Sequence, residues 1–242
     1  MTYCVGLKLN RGLVFMSDTL TNAGVDNVSR FKKMFTWTHE GERVITLMTA
    51  GNLATTQAVA SILDERTKAP EERKPSILEL PSMFQVAQLV GETLRDVIAA
   101  NEGNGQSADA FNASIIVGGQ IGQSAPRLFL IYPEGNFIEA SDDTPFFQIG
   151  ETKYGRPILV RAYNADMSFE EAVKLLMVSF DSTLKANLSV GLPFDLQTYD
   201  ADSLKVGHEM RIEEDDPYYQ AISSGWGEAL KQAFASLPGF KF

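Results

Sequence analysis

The chain holds a single cysteine, Cys4, among 242 residues. That excludes an internal disulfide and points to a reducing compartment such as the cytoplasm. No apolar run reaches the roughly 18 residues that a membrane-spanning helix needs. The start lacks the charged segment and apolar core of a secretory leader, so none is expected. Basic residues are the minority: 21 Lys and Arg face 31 Asp and Glu, for a formal charge of −10. Such a surface repels phosphate backbones, which argues against generic nucleic-acid binding. The only two histidines, His39 and His208, lie far apart beside Glu40 and Glu209, and read as surface residues rather than a metal pair or catalytic dyad. Gly118-Gly119-Gln120-Ile121-Gly122 has no Lys-Ser/Thr behind it, so it is a turn and not a phosphate loop. Repeats and low-complexity segments are absent as well.

What is present is enough apolar material, 44% of the residues, to bury one substantial core. Alternating or compact apolar runs predict strands at 2–9, 13–18, 30–38 and 42–49. Two segments with a 3.6-residue apolar period follow, from Asn52 to about Thr67 and from Ser82 to about Asn101. Between them, Ala69 to Pro75 is charged and bounded by prolines, so an exposed loop is expected. Further strands are predicted at 113–118, 127–132, 137–140 and 146–150. Ser168-Phe169-Glu170-Glu171 has a capping-box pattern and opens an amphipathic helix running to about Asn187. Glu213-Glu214-Asp215-Asp216-Pro217 suits the start of another helix, and the aromatic stretch beyond it suits either the core or, if exposed, subunit contacts. The order allows two sheets packed between helical layers.

The chemistry concentrates near the start. If Met1 is removed, Thr2 carries a hydroxyl and an α-amine on one residue. The reference pKa of such an amine is about 7.7–8.0, so nucleophile and local base sit together. Asn10-Arg11-Gly12 reads as a tight turn, returning Asp18 to the level of residue 2. Lys33 lies among apolar and aromatic residues, where burial lowers its pKa and a nearby Asp raises it. Thr2, Asp18 and Lys33 thus form a candidate proton-handling set. Spacing alone favours the plainer reading, a strand-ending Asp18 and an edge-strand Lys33. Cys4 reads as a buried strand residue rather than a nucleophile.

With Thr2, Ser17-Asp18-Thr19, Thr21-Asn22-Ala23-Gly24, Lys33-Met34 and Thr49-Ala50-Gly51-Asn52-Leu53-Ala54, the chain resembles proteasome β-subunits. Met1-Thr2-Tyr3-Cys4-Val5, Ala50-Gly51-Asn52-Leu53-Ala54-Thr55-Thr56-Gln57 and Asn187-Leu188-Ser189-Val190-Gly191-Leu192-Pro193 place the resemblance in the bacterial Anbu, or ancestral β-subunit, branch. It implies an α+β, four-layer αββα sandwich of two mainly antiparallel sheets, the N-terminal-nucleophile hydrolase fold. The subunit-like domain would span 2–210, with 211–242 a helical extension packed on it.

The resemblance also implies roles. Thr2 is the nucleophile, Asp18 and Lys33 tune its protonation, and the Gly51 N–H stabilises the oxyanion. Thr49 and Leu53 fall at the first specificity pocket. Lys33 is chosen over Lys32 because it precedes the apolar Met34, and alternation turns Lys32 to the other face. Two departures stand out. Gly150-Glu151-Thr152 replaces the family's Gly-Ser-Gly turn, and the supporting Asp-x-x-Ser-Gly motif becomes Ala186-Asn187-Leu188-Ser189-Val190-Gly191, leaving Ser189 and Asn187 as the supporting candidates. The expected protein is a cytoplasmic threonine peptidase needing no metal or organic cofactor, self-associating as a ring or spiral of dimers, acting on peptide or protein, with any unfoldase a separate chain. The alternative is a self-assembling peptide-binding scaffold that has lost efficient turnover.

Overall fold

A computed structural model describes residues 2–22, 28–68, 75–101 and 108–242. Met1, the 23–27 part of the family-like loop and most of the expected loop at 69–75 lie outside the described residues.

The first hairpin forms as the turn residues dictate. Strands β1 (Tyr3–Leu9) and β2 (Gly12–Asp18) pair antiparallel, with Leu9 opposite Gly12 and only Asn10 and Arg11 between them. Gly12 takes φ +149°, and a Cβ there would lie 1.9 Å from the Tyr199 carbonyl oxygen, so only glycine fits. A short hairpin follows, β3 (Leu20–Asn22) and β4 (Val28–Arg30). Strands β5 (Met34–His39) and β6 (Arg43–Gly51) then lead into α1 (Leu53–Lys68) and α2 (Met83–Asn101).

Strands β7 (Ala113–Ile121), β8 (Arg127–Ile131), β9 (Phe137–Glu139) and β10 (Phe146–Gly150) come next. Helices α3 (Arg156–Ala162) and α4 (Phe169–Ala186), strands β11 (Phe194–Asp200) and β12 (Glu209–Ile212), and helix α5 (Pro217–Ala235) complete the chain. The capping box of α4 forms as expected: Glu171 N donates to Ser168 Oγ, and Ser168 N to Glu171 Oε2 at 3.0 Å. Asp216 caps α5 by accepting from Tyr219 N at 2.8 Å, and Pro217 occupies its first turn.

Two five-stranded antiparallel sheets result, in the orders β10-β1-β2-β11-β12 and β5-β6-β7-β8-β9. Period-two alternation divides their side chains into three cores. Tyr3, Val5 and Leu7 of β1 pack with Leu176 and Phe180 of α4 on one outer face. Ile45 and Leu47 of β6 pack with Val59 of α1 and Val90 of α2 on the other. Between the sheets, Cys4, Phe15, Met48, Ile116 and Leu128 interleave. This is the αββα sandwich. The sheets are also joined by polar contacts: Gln197 on β11 donates to Thr36 Oγ1 on β5 at 2.9 Å and accepts from Thr46 Oγ1 on β6.

Candidate active site

The β1–β2 hairpin puts Asp18 opposite the start of β1, and its carboxylate receives the chain there: Tyr3 N donates to Asp18 Oδ1 at 2.9 Å. Lys33 lies one residue ahead of β5 rather than within it. Its backbone still continues the ladder, Thr49 N donating to Lys33 O at 3.0 Å. Lys33 is buried while Lys32 is exposed. From the edge of the second sheet, the Lys33 ammonium reaches the first, donating to Asp18 Oδ1 at 2.7 Å and to the Leu20 carbonyl at 2.6 Å. Gly191 N approaches Asp18 Oδ2 at 3.4 Å. One buried carboxylate thus gathers a main-chain N–H next to residue 2, an ammonium, and the Ser189–Gly191 segment.

Burial is the largest influence on Asp18 and pushes its carboxyl up to about 6, against the pull of the Lys33 charge and of the N–H donors. The same burial pushes the Cys4 thiol well above its ordinary value, so Cys4 stays protonated and unreactive.

Thr2 is held by its backbone from the other side. Its carbonyl accepts from Glu151 N at 2.7 Å, where β10 pairs with β1 and sets Gly150 opposite Tyr3. Gly150 has φ +85°, and a Cβ on it would stand 1.9 Å from the Thr2 oxygen. Gly150→Ala is therefore expected to displace Thr2 as well as to strain the backbone by more than about 1 kcal/mol. A lower melting temperature together with slower acylation of Thr2 by a β-lactone would report both effects.

Glu151 is the residue that sequence reasoning treated only as a missing serine. Its side chain is buried, and Oε2 accepts from Asn187 Nδ2 at 3.0 Å. Asn187 Oδ1 in turn accepts from Ser189 N at 3.0 Å. The two departures from the family pattern meet in space: carboxylate and amide join the turn after β10 to the loop after α4. The paired losses of Ser and Asp at those two places were the available signal.

Of the remaining candidates, Thr49 touches this centre through its N–H on the Lys33 carbonyl. Gly51 ends β6 with φ +117°, exposed, and a Cβ there would fall 2.4 Å from the Asn112 oxygen. Thr49 is buried, its carbonyl accepting the Cys4 thiol at 3.6 Å. Leu53 opens α1, half-buried. A groove of about 580 Å³ between β5 and α1 is lined by Phe31, Lys32, Phe35, Trp37, Gln57 and Asp64, among others, but by neither Thr49 nor Leu53. Exposed His39 pairs with Glu42 Oε2 at 2.9 Å, and exposed His208 lies near β12, remote in sequence. Among the described residues, no cluster of three or more His, Cys, Asp or Glu is placed to hold a metal, and no helix is long and apolar enough to cross a membrane.

The sequence model described as "Proteasome subunit" matches residues 2–191, and solved Anbu structures superpose on the whole chain. Anbu from Yersinia bercovieri is 48% identical with a TM-score of 0.93, covering 99% of this chain and 100% of that one. The chain belongs to the proteasome subunit family, in its Anbu branch. A helical assembly of the Anbu complex from Pseudomonas aeruginosa is 45% identical with a TM-score of 0.91, over 99% of this chain and 98% of its own. Proteasome subunit beta 2 of Pyrobaculum calidifontis is 26% identical over 205 residues, 83% of this chain and 90% of that protein. The Asp18–Lys33 pair therefore lies within the part of this Anbu-branch chain that the family's sequence model covers, while β11, β12 and α5 lie beyond it.

Proposed function

We propose that this Anbu-branch chain is a threonine peptidase that cleaves amide bonds by acyl transfer to Thr2, working inside a self-assembled homo-oligomer in the cytoplasm. The observation that carries the reading is the convergence on Asp18 of the Tyr3 N–H and the Lys33 ammonium. Once Met1 is removed, the free α-amine accepts the proton as Thr2 Oγ attacks the amide carbonyl carbon. Negative charge on the resulting tetrahedral oxygen is met by the Gly51 N–H, a contribution of typically a few kcal/mol. The C–N bond then breaks, the proton passes from the α-amine to the leaving nitrogen, and an ester on Thr2 remains. Water, giving a proton to the same amine, hydrolyses that ester to a carboxylic acid and restores the Thr2 hydroxyl. Lys33, held by Asp18, supplies positive charge that favours the ionised hydroxyl oxygen. Asn187, Ser189 and Glu151 brace the two loops that flank residue 2. Thr49 and Leu53 shape the entrance for the substrate side chain, and no metal or organic cofactor takes part. Any unfoldase is a separate chain.

Intact-mass measurement with and without a β-lactone tests this. Loss of Met1 and one adduct on Thr2 is the expected result. A retained Met1, or a clipped chain that takes no adduct, favours a second reading, a non-catalytic peptide-binding scaffold. The observation behind that reading is Glu151 standing where the family's turn has Ser, with no aspartate in the Ala186–Gly191 segment.

Asp18 adds a lower step to the acid limb of the activity, beneath the one set by protonation of the Thr2 α-amine, whose reference pKa is about 7.7–8.0. Protonation below about pH 6 removes the carboxylate that holds Lys33, so turnover is expected to fall as pH drops through that value. Stability moves the opposite way. A carboxyl raised above its unfolded value keeps a proton that the unfolded chain has released, so this group's contribution is full below the unfolded pKa of about 3.9 and is lost as pH rises through about 6. A pH–rate profile set beside melting temperatures from pH 4 to 7, compared between wild type and Asp18→Asn, separates the two.

A further inference from the structure

Among the described residues, the second half of α5 packs against nothing that buries it. Tyr219 anchors the first turn, buried, with its hydroxyl donating to Asp181 Oδ1 at 3.1 Å and its ring edge-on to Phe194. From Glu228 to Phe242, by contrast, every residue is exposed. Two helical turns standing free in water are marginal by themselves. These carry Leu230 and Phe234, followed by Leu237, Phe240 and Phe242, all among the most exposed large apolar residues of the protein. Phe234 is 79% and Phe240 82% exposed. Counting about 200 Å² for a fully exposed ring of this size, the five side chains present roughly 800 Å². That exceeds the largest apolar patch of an ordinary monomer and matches what each partner contributes to a stable interface.

The same chain carries a receptor of matching character. Between α3, α4 and the first half of α5 lies an open groove of about 420 Å³, walled mainly by Ile158, Leu175, Val178, Ile222 and Trp226. Its α5 wall is opened by Gly225, and neighbouring Gly227 is equally bare: a Cβ on either would meet nothing within 4 Å. Glycine inside a helix costs about 1 kcal/mol relative to alanine, and no contact among the described residues requires it here. Within a protein of charge −10, copies repel. The segment from 228 to 242 holds only Glu228, Lys231 and Lys241, the first two paired with each other at 2.8 Å, so contact costs least there.

We propose that the arm formed by residues 228–242 seats in the α3–α4–α5 groove of a second copy of this chain. This rests on the self-assembly proposed above and names the surface that performs it. Arm and groove adjoin on α5, so two copies either exchange arms reciprocally about a two-fold axis or link head-to-tail in a chain that propagates unless the rotation closes.

The test uses the full chain at micromolar concentration, with mass measured by light scattering after gel filtration. Wild type is expected above one chain mass. Phe234→Glu with Phe240→Glu spoils the arm, and Ala221→Arg fills the groove. Each change is at an exposed position, so melting temperature stays near that of wild type. Either variant alone is expected to fall to the 26.6 kDa of a single chain. Mixed, they should pair one to one, because the intact arm of the groove variant enters the intact groove of the arm variant. Variants that keep the wild-type mass overturn the proposal while leaving self-assembly intact. Loss of assembly in both without pairing on mixing overturns the groove as the seat. A monomeric wild type overturns self-assembly and this inference together.

Discussion

Thr2→Ala is expected to abolish turnover, by at least about a thousandfold, since loss of a nucleophile leaves only binding and electrostatic contributions to the rate. The change removes Oγ and leaves the α-amine, so residual activity measures what the amine and the Gly51 N–H achieve alone. The backbone hydrogen bond from Glu151 N to the Thr2 oxygen does not involve the side chain, so fold and oligomeric mass should be unchanged. Hydrolysis of a fluorogenic peptide set, with intact mass after β-lactone treatment, checks the point. Turnover equal to wild type would move the nucleophile elsewhere and remove the peptidase reading from Thr2.

The second large effect is on the Asp18–Lys33 pair. Lys33→Ala leaves Asp18, with both carboxylate oxygens buried, facing only main-chain donors. Breaking a buried pair from one side costs about 3–5 kcal/mol. For a chain of this size that lowers the melting temperature by roughly 6–20 °C. Activity should vanish as well. The double replacement Asp18→Asn with Lys33→Met removes both charges and keeps a carbonyl oxygen for the Tyr3 N–H. It should recover most of the lost stability and none of the activity. Thermal melting and turnover of wild type, Asp18→Asn, Lys33→Met and the double variant form a double-mutant cycle. A double variant no more stable than Lys33→Ala would mean the site depends on the ion pair itself.

Much of this arrangement is legible in the sequence, and what is not has physical reasons. The β1–β2 hairpin follows from Asn10-Arg11-Gly12, and the start of α4 from Ser168 and Glu171, because both are local devices. Strand β11 escaped notice although it is central in its sheet. Its Gln197 and Thr198 are buried polar residues, satisfied by Thr36 and Thr46 of the other sheet and by the loop before β12, so no apolar run marks it. Helix α3, at seven residues, is too short to show a period. Strand β5 begins at Met34 rather than near 30, because the backbone of 28–30 is taken up by β3. At the site, Asp18 and Lys33 are set by the hairpin and by the strand that follows. The link between Glu151 and Asn187 joins residues 36 positions apart, and only the pairing of β10 with β1 brings it beside residue 2.

The clamp on the head of β1 grips only main-chain atoms of that strand: the oxygen of residue 2, held by Glu151 N, and the nitrogen of Tyr3, held by the Asp18 carboxylate. Such a socket does not read the side chain it holds. Serine or cysteine placed at position 2 would be gripped as firmly as threonine, and the scaffold would register no difference. Reactivity in this architecture is therefore a removable part, free to be exchanged or lost without disturbing the fold that presents it.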